Sequence, residues 1–180
     1  MSALTVPYVA AAVLLVLAGW SKVVSPQSTV VAARDAGLPA SPSWVRLLAG
    51  AEVVIGVAAL VIDGAVPASL VALSYLGFAL FLTRGLVRGD LNSCGCFAGD
   101  EARPTWLHVA LDALLALAAV FVAAAGRPAS LWHVLAGQDA WSVALLAAAT
   151  ALLAYTILSG LPTPGEGPER LRLTDAEPAR

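Results

Sequence analysis

Two cysteines stand one residue apart, Cys94 and Cys96, within Asn92-Ser93-Cys94-Gly95-Cys96-Phe97-Ala98-Gly99, and the chain has no others. Thiols this close can join only if the backbone turns tightly enough to bring their Cα atoms within about 4.4–6.8 Å. Gly95 permits such a turn because it tolerates positive φ. A disulfide ring of this size is strained, and strain makes a disulfide easier to reduce. The pair therefore suits reversible exchange better than stapling, and Cys94 and Cys96 are the candidate catalytic residues. Their reactivity depends on the thiolate fraction. Arg103 and the positive end of a following helix favour the thiolate, while Asp100 and Glu101 oppose it. Two thiolates fall short of the four ligands of a closed zinc site. His108 and Asp100 could complete one, so a metal-binding or metal-transport protein using Cys94, Cys96 and His108 stands as an alternative.

A second set of residues carries charge where charge is expensive. Glu52, His108 and Asp112 lie in strongly apolar stretches, Lys22 ends another, and Tyr75 sits midway along a third. His108 precedes Asp112 by four, which puts both on one helical face. Ionisable groups at membrane depth are costly and normally face a protein interior or a wet cavity. All five count inward from the side of the Cys-Gly-Cys loop. The expectation is a polar pocket beneath that loop, lined by Lys22, Glu52, Tyr75, His108 and Asp112, which handles protons or binds a redox partner such as a quinone. The plainer readings are a Lys22 that snorkels to the interface, an interfacial His108 and a Tyr75 that merely packs. Trp20, Trp44 and Trp106 fit an interfacial aromatic belt.

The elements that must position these groups follow from composition. Of the 180 residues 59% are hydrophobic and only 12% charged, about half the charged share of a soluble domain. A net charge of −2 offers no basic stripe to neutralise phosphates, which excludes nucleic acid as a partner. Only helices or closed barrels satisfy their backbone polar groups in lipid. Long unbroken runs rich in Ala and Leu favour helices. The fold class is all-α, a polytopic membrane protein in contact with the lipid bilayer.

About 20 apolar residues span a bilayer core, and five segments qualify, near 6–24, 44–62, 65–83, 105–125 and 140–161. The first lacks the positive start and clean cleavage site of a signal peptide and is expected to remain as a helix. Asp63-Gly64 makes the second and third a hairpin. The stretch 29–36 reads as a short interfacial helix stopped at Gly37, and 84–104 as the long loop that carries the cysteines. Pro104 is placed near the first turn of the fourth segment. In the fifth, Ala147, Ala151 and Tyr155 recur at helical spacing, which reads as packing.

Orientation follows from Lys and Arg. If side B is the side reached after the first helix, it receives Lys22, Arg34, Arg46, Arg84, Arg88, Arg103, Arg170, Arg172 and Arg180, and the other side only Arg127. That count makes side B, and the Cys-Gly-Cys loop with it, cytoplasmic. If the fifth segment does not span, the three arginines of the tail change sides and the bias weakens.

The chain resembles the MauE family of methylamine-utilisation membrane proteins, related to DoxX-like membrane proteins. The resemblance rests on Gly19-Trp20-Ser21-Lys22, Gly37-Leu38-Pro39, Glu52 followed by Gly56, and Cys94-Gly95-Cys96-Phe97. Two features depart from the family pattern. Ala98 intervenes before Gly99, and Leu111-Asp112 stands where an Arg-Asn or Arg-Asp pair is usual. The resemblance implies a four-helix membrane domain over 1–125; the apolar run read as the fifth segment adds a transmembrane helix with its preceding loop over 126–161, and a composition rich in Pro, Gly, Glu and Arg makes 162–180 a polar disordered tail. The resemblance also implies a multi-pass plasma-membrane thiol–disulfide oxidoreductase. Such a protein would assist maturation or transport of an extracytoplasmic disulfide-containing client, as in methylamine dehydrogenase light-subunit biogenesis, with a thioredoxin-like partner. That role wants side B outside, against the charge count. A non-enzymatic scaffold of a membrane complex is the remaining alternative.

Overall fold

The computed structural model describes residues 5–89 and 105–126, together with three isolated helical positions, Leu145, Ala148 and Leu152. The Cys-Gly-Cys motif, Asp100, the tail and nearly all of the fifth apolar segment, including Ala147, Ala151 and Tyr155, lie outside the described residues. Five helices are present among the described residues: α1 (Thr5–Val24), α2 (Gln27–Asp35), α3 (Pro42–Val61), α4 (Ala65–Arg88) and α5 (Trp106–Ala125). α1, α3, α4 and α5 are each long and apolar enough to cross a membrane, and no strand occurs among the described residues. The chain is an all-α, multi-pass membrane protein.

Local chemistry sets the helix limits. The Ser41 side chain accepts from the Trp44 N–H, and proline stands at the start of α3, where its missing N–H costs nothing. α2 ends one residue short of the sequence reading and is closed by Gly37 at φ +76°. α4 runs five residues beyond the expected Thr83, because Arg84 and Arg88 are good helix formers that end a hydropathy run without ending a helix. It stops at Gly89 in the left-handed conformation. The cysteine loop therefore begins after Gly89, not at Arg84. α5 starts at Trp106 with Thr105 as its N-cap, so Pro104 precedes the helix and lies outside the described residues.

α1 packs chiefly on α3 and α4 chiefly on α5, and α1 also touches α5 and α4. It is the most enclosed of the four long helices. Its Ala10-Ala11-Ala12 run is fully buried. Without a hydrophobic drive between helices in lipid, close packing of small residues must hold them together. Two glycines set the α1–α3 approach. A Cβ on Gly56 would lie 2.6 Å from Val16 Cγ2 and 2.8 Å from the Ala12 carbonyl oxygen; one on Gly19 would lie 2.8 Å from the Ala49 carbonyl oxygen. Gly56→Val is expected to destabilise the fold by about 1–3 kcal/mol through overpacking. Gly50→Ala, whose added Cβ meets nothing within 4 Å, should instead be neutral or stabilising by up to about 1 kcal/mol. Thermal unfolding in detergent distinguishes the two, and equal effects would remove the claim that the α1–α3 seam needs Gly56.

Candidate functional site

The seam that brings the two glycines together also places charge. Lys22 follows Gly19 by three and Glu52 precedes Gly56 by four, so each charged residue shares a face with its glycine. α1 and α3 run antiparallel: the Tyr8 hydroxyl reaches the Ala59 carbonyl oxygen at 3.5 Å, and Arg46 donates to the Val23 carbonyl oxygen at 3.3 Å. Between these two ties the Lys22 ammonium donates to both oxygens of Glu52, at 3.1 and 2.8 Å. Only 6% of Lys22 and 3% of Glu52 is exposed. Lys22 is therefore a buried ion-pair member and does not snorkel. Helical side chains point back toward their own N-terminus, which from the end of α1 means into the membrane. Glu52 lies ten residues into α3, about 15 Å deep at about 1.5 Å per residue.

α4 supplies the next layer. Lys22 Nζ stands 4.7 Å from the centre of the Phe78 ring, a cation–π contact. Tyr75 meets Phe78 edge-on at 5.8 Å, and its hydroxyl donates to the Ala11 carbonyl oxygen at 2.8 Å. Tyr75 thus packs and is hydrogen-bonded at once, within electrostatic range of Glu52 and Asp112. Lys22 and Glu52 are thus joined directly, and Tyr75 is tied to them through Phe78. Asp112 is a further buried carboxyl, on α5.

His108 is buried too, and its described contacts are local. Its Nδ1 accepts from the Thr105 N–H at 3.2 Å and lies 2.8 Å from the Thr105 hydroxyl, completing a capping box that starts α5. This imidazole is part of what fixes the end of the cysteine loop. Trp20, Trp44 and Trp106 are exposed near the side-B ends of α1, α3 and α5, as interfacial anchors should be. Among the described residues no three His, Cys, Asp or Glu side chains could hold a metal ion together. The metal reading leans on Cys94 and Cys96, which lie outside them.

The expected pocket is there in part: a cavity lies beside the ion pair and is lined by Lys22 and Glu52, but its wall includes Phe78 and not Tyr75, His108 or Asp112. That cavity encloses about 650 Å³ between α2, α3 and α4. Among the described residues Lys22 and Glu52 are its only charged lining, and Phe78 and Phe81 form part of its wall. Phe78 was in principle findable, three residues after Tyr75 and so on its face.

Compared with known proteins, the chain finds no match among curated sequences and none among solved structures. The family profile described as methylamine utilisation protein MauE matches residues 1–126, more than half of the chain. With four membrane-crossing helices inside the matched region and a buried Lys22–Glu52 pair at its centre, the chain belongs to the MauE family, membrane proteins of methylamine utilisation.

Proposed function

We propose that this chain is a plasma-membrane thiol–disulfide exchange protein serving maturation or transport of an extracytoplasmic disulfide-containing protein in methylamine utilisation, with a thioredoxin-like partner. The observation that carries the reading is the Cys94-Gly95-Cys96 dithiol in a chain of this family. The loop that holds it joins Gly89 to Thr105, the side-B ends of α4 and α5. One thiolate attacks the partner's disulfide, and the second resolves the mixed disulfide. Lys22, Glu52 and Asp112 would hold charge and protons within the same bundle, and His108 positions the loop's end. Residues 1–125 carry this chemistry, 126–161 add a further anchor, and 162–180 form a polar tail.

The test is thiol alkylation in intact cells with a membrane-impermeant reagent, before and after reduction. Labelling of Cys94 and Cys96 only after reduction is the expected result, a disulfide accessible from outside. Labelling that requires permeabilisation would place the loop in the cytoplasm, as the Lys and Arg count favours, and would overturn the extracytoplasmic role.

A further inference from the structure

The cavity between α2, α3 and α4 has a chemistry of its own. Its volume of about 650 Å³ falls within the range of about 300–1,000 Å³ typical of small-molecule sites. Apart from Lys22 and Glu52 its lining is almost wholly apolar, with Ser74 and Thr29 the only hydroxyls among the described residues. Exposed Leu48 and Leu73 form its rim between α3 and α4, on the surface the bundle turns to lipid. Residues of α2 and the turn after it cover it toward side B.

We propose that this cavity binds a neutral lipophilic quinone, its ring beside Phe78 and Phe81 and one carbonyl oxygen accepting from Lys22. The ammonium has three donors, and Glu52 takes two, leaving one for an acceptor oxygen. The Lys22–Glu52 pair is neutral as a unit, and the Glu52 carboxylate repels anions. Arg34 and Arg46, the nearest arginines in sequence, are bound to the carbonyl oxygens of Ala40 and Val23 and do not line the cavity. A phosphate headgroup therefore finds no net positive charge here, whereas an uncharged carbonyl finds a donor. A planar ring gains from stacking on aromatic walls, and an apolar tail leaves past Leu48 and Leu73 into the bilayer. One further step rests on the proposed thiol chemistry. Thiol–disulfide exchange is reversible, and where a dithiol partner has reduced the Cys94–Cys96 disulfide and left as a disulfide itself, the two thiols can pass two electrons and two protons to a quinone, leaving one disulfide and one quinol, so such an occupant restores the disulfide.

The experiment titrates a benzoquinone bearing a decyl tail into the purified full chain in phosphatidylcholine nanodiscs, read by quenching of tryptophan emission, to which Trp44 in the cavity wall contributes. Saturable quenching is expected. Gly77→Phe should weaken it by about tenfold or more, because its ring takes up the space the quinone ring needs. Gly77 lines the cavity, and a Cβ there meets open space, so this variant fills the site without colliding with the backbone. The double variant Lys22→Met/Glu52→Leu should weaken binding similarly. Cys94→Ser/Cys96→Ser should bind as the unaltered chain does, which separates failure of this site from failure of the thiol reading. Linear quenching that is equal in the unaltered chain and Gly77→Phe would overturn the proposal, as would a lipid extract of the purified chain with phospholipid as the cavity's sole occupant.

Discussion

Lys22→Met is expected to destabilise the bundle by about 3–5 kcal/mol, the cost of leaving a buried charge without its partner. The pair is buried at both ends and bonded through both carboxylate oxygens, so losing the ammonium leaves both oxygens of Glu52 without their donor. Glu52→Gln keeps a side-chain oxygen that can accept from the Lys22 ammonium, so its cost should be smaller. Lys22→Met/Glu52→Leu removes both ends of the pair and should recover most of the loss, because apolar replacements for a buried ion pair are often neutral or stabilising. An isolated Glu52 would take up a proton instead of staying charged, which caps the single-variant cost. Unfolding of the purified protein, run as a double-mutant cycle, measures the coupling directly. Additive losses, with no recovery in the double variant, would mean that the two side chains do not stabilise one another.

The parts of this architecture that were legible in sequence are those set by one chain segment at a time. The four long helices follow from apolar runs of bilayer length, and the stop at Gly37 from a residue that accepts positive φ. That Lys22, Glu52, Tyr75 and Asp112 share a side of the membrane follows from counting along antiparallel helices. The extra turns of α4 were hidden because Arg84 ends an apolar window while the backbone continues to Gly89. Which groups pair was hidden for a different reason. The Lys22–Glu52 bond depends on the α1–α3 register, fixed by how closely Gly19 and Gly56 let two backbones approach. The cavity depends on how α2 folds back over α3 and α4. Neither relation is periodic in the sequence, and the cavity wall is made of residues that look like ordinary membrane-facing side chains.

Replacing either cysteine by serine is expected to reduce thiol exchange to background while membrane insertion stays intact. Neither Cys94 nor Cys96 belongs to an apolar span; both fall between Gly89 and Thr105, after α4 ends and before α5 begins. A serine hydroxyl keeps the size and polarity of the site but supplies no thiolate, and the thiolate is the nucleophile. The two variants should nevertheless differ. Exchange proceeds through a mixed disulfide that the second thiol resolves. The variant that keeps the attacking cysteine should therefore accumulate a covalent complex with the proposed thioredoxin-like partner, visible on non-reducing gels after acid quenching and alkylation. The variant that keeps only the resolving cysteine should show none, and this asymmetry names the attacking residue. A metal-binding role predicts a different pattern: no trapped complex in either variant, with stoichiometric metal in the unaltered protein and its loss in both. A scaffold role predicts that both variants support methylamine use as well as the unaltered chain does. Retained exchange in both single variants would remove the dithiol mechanism altogether.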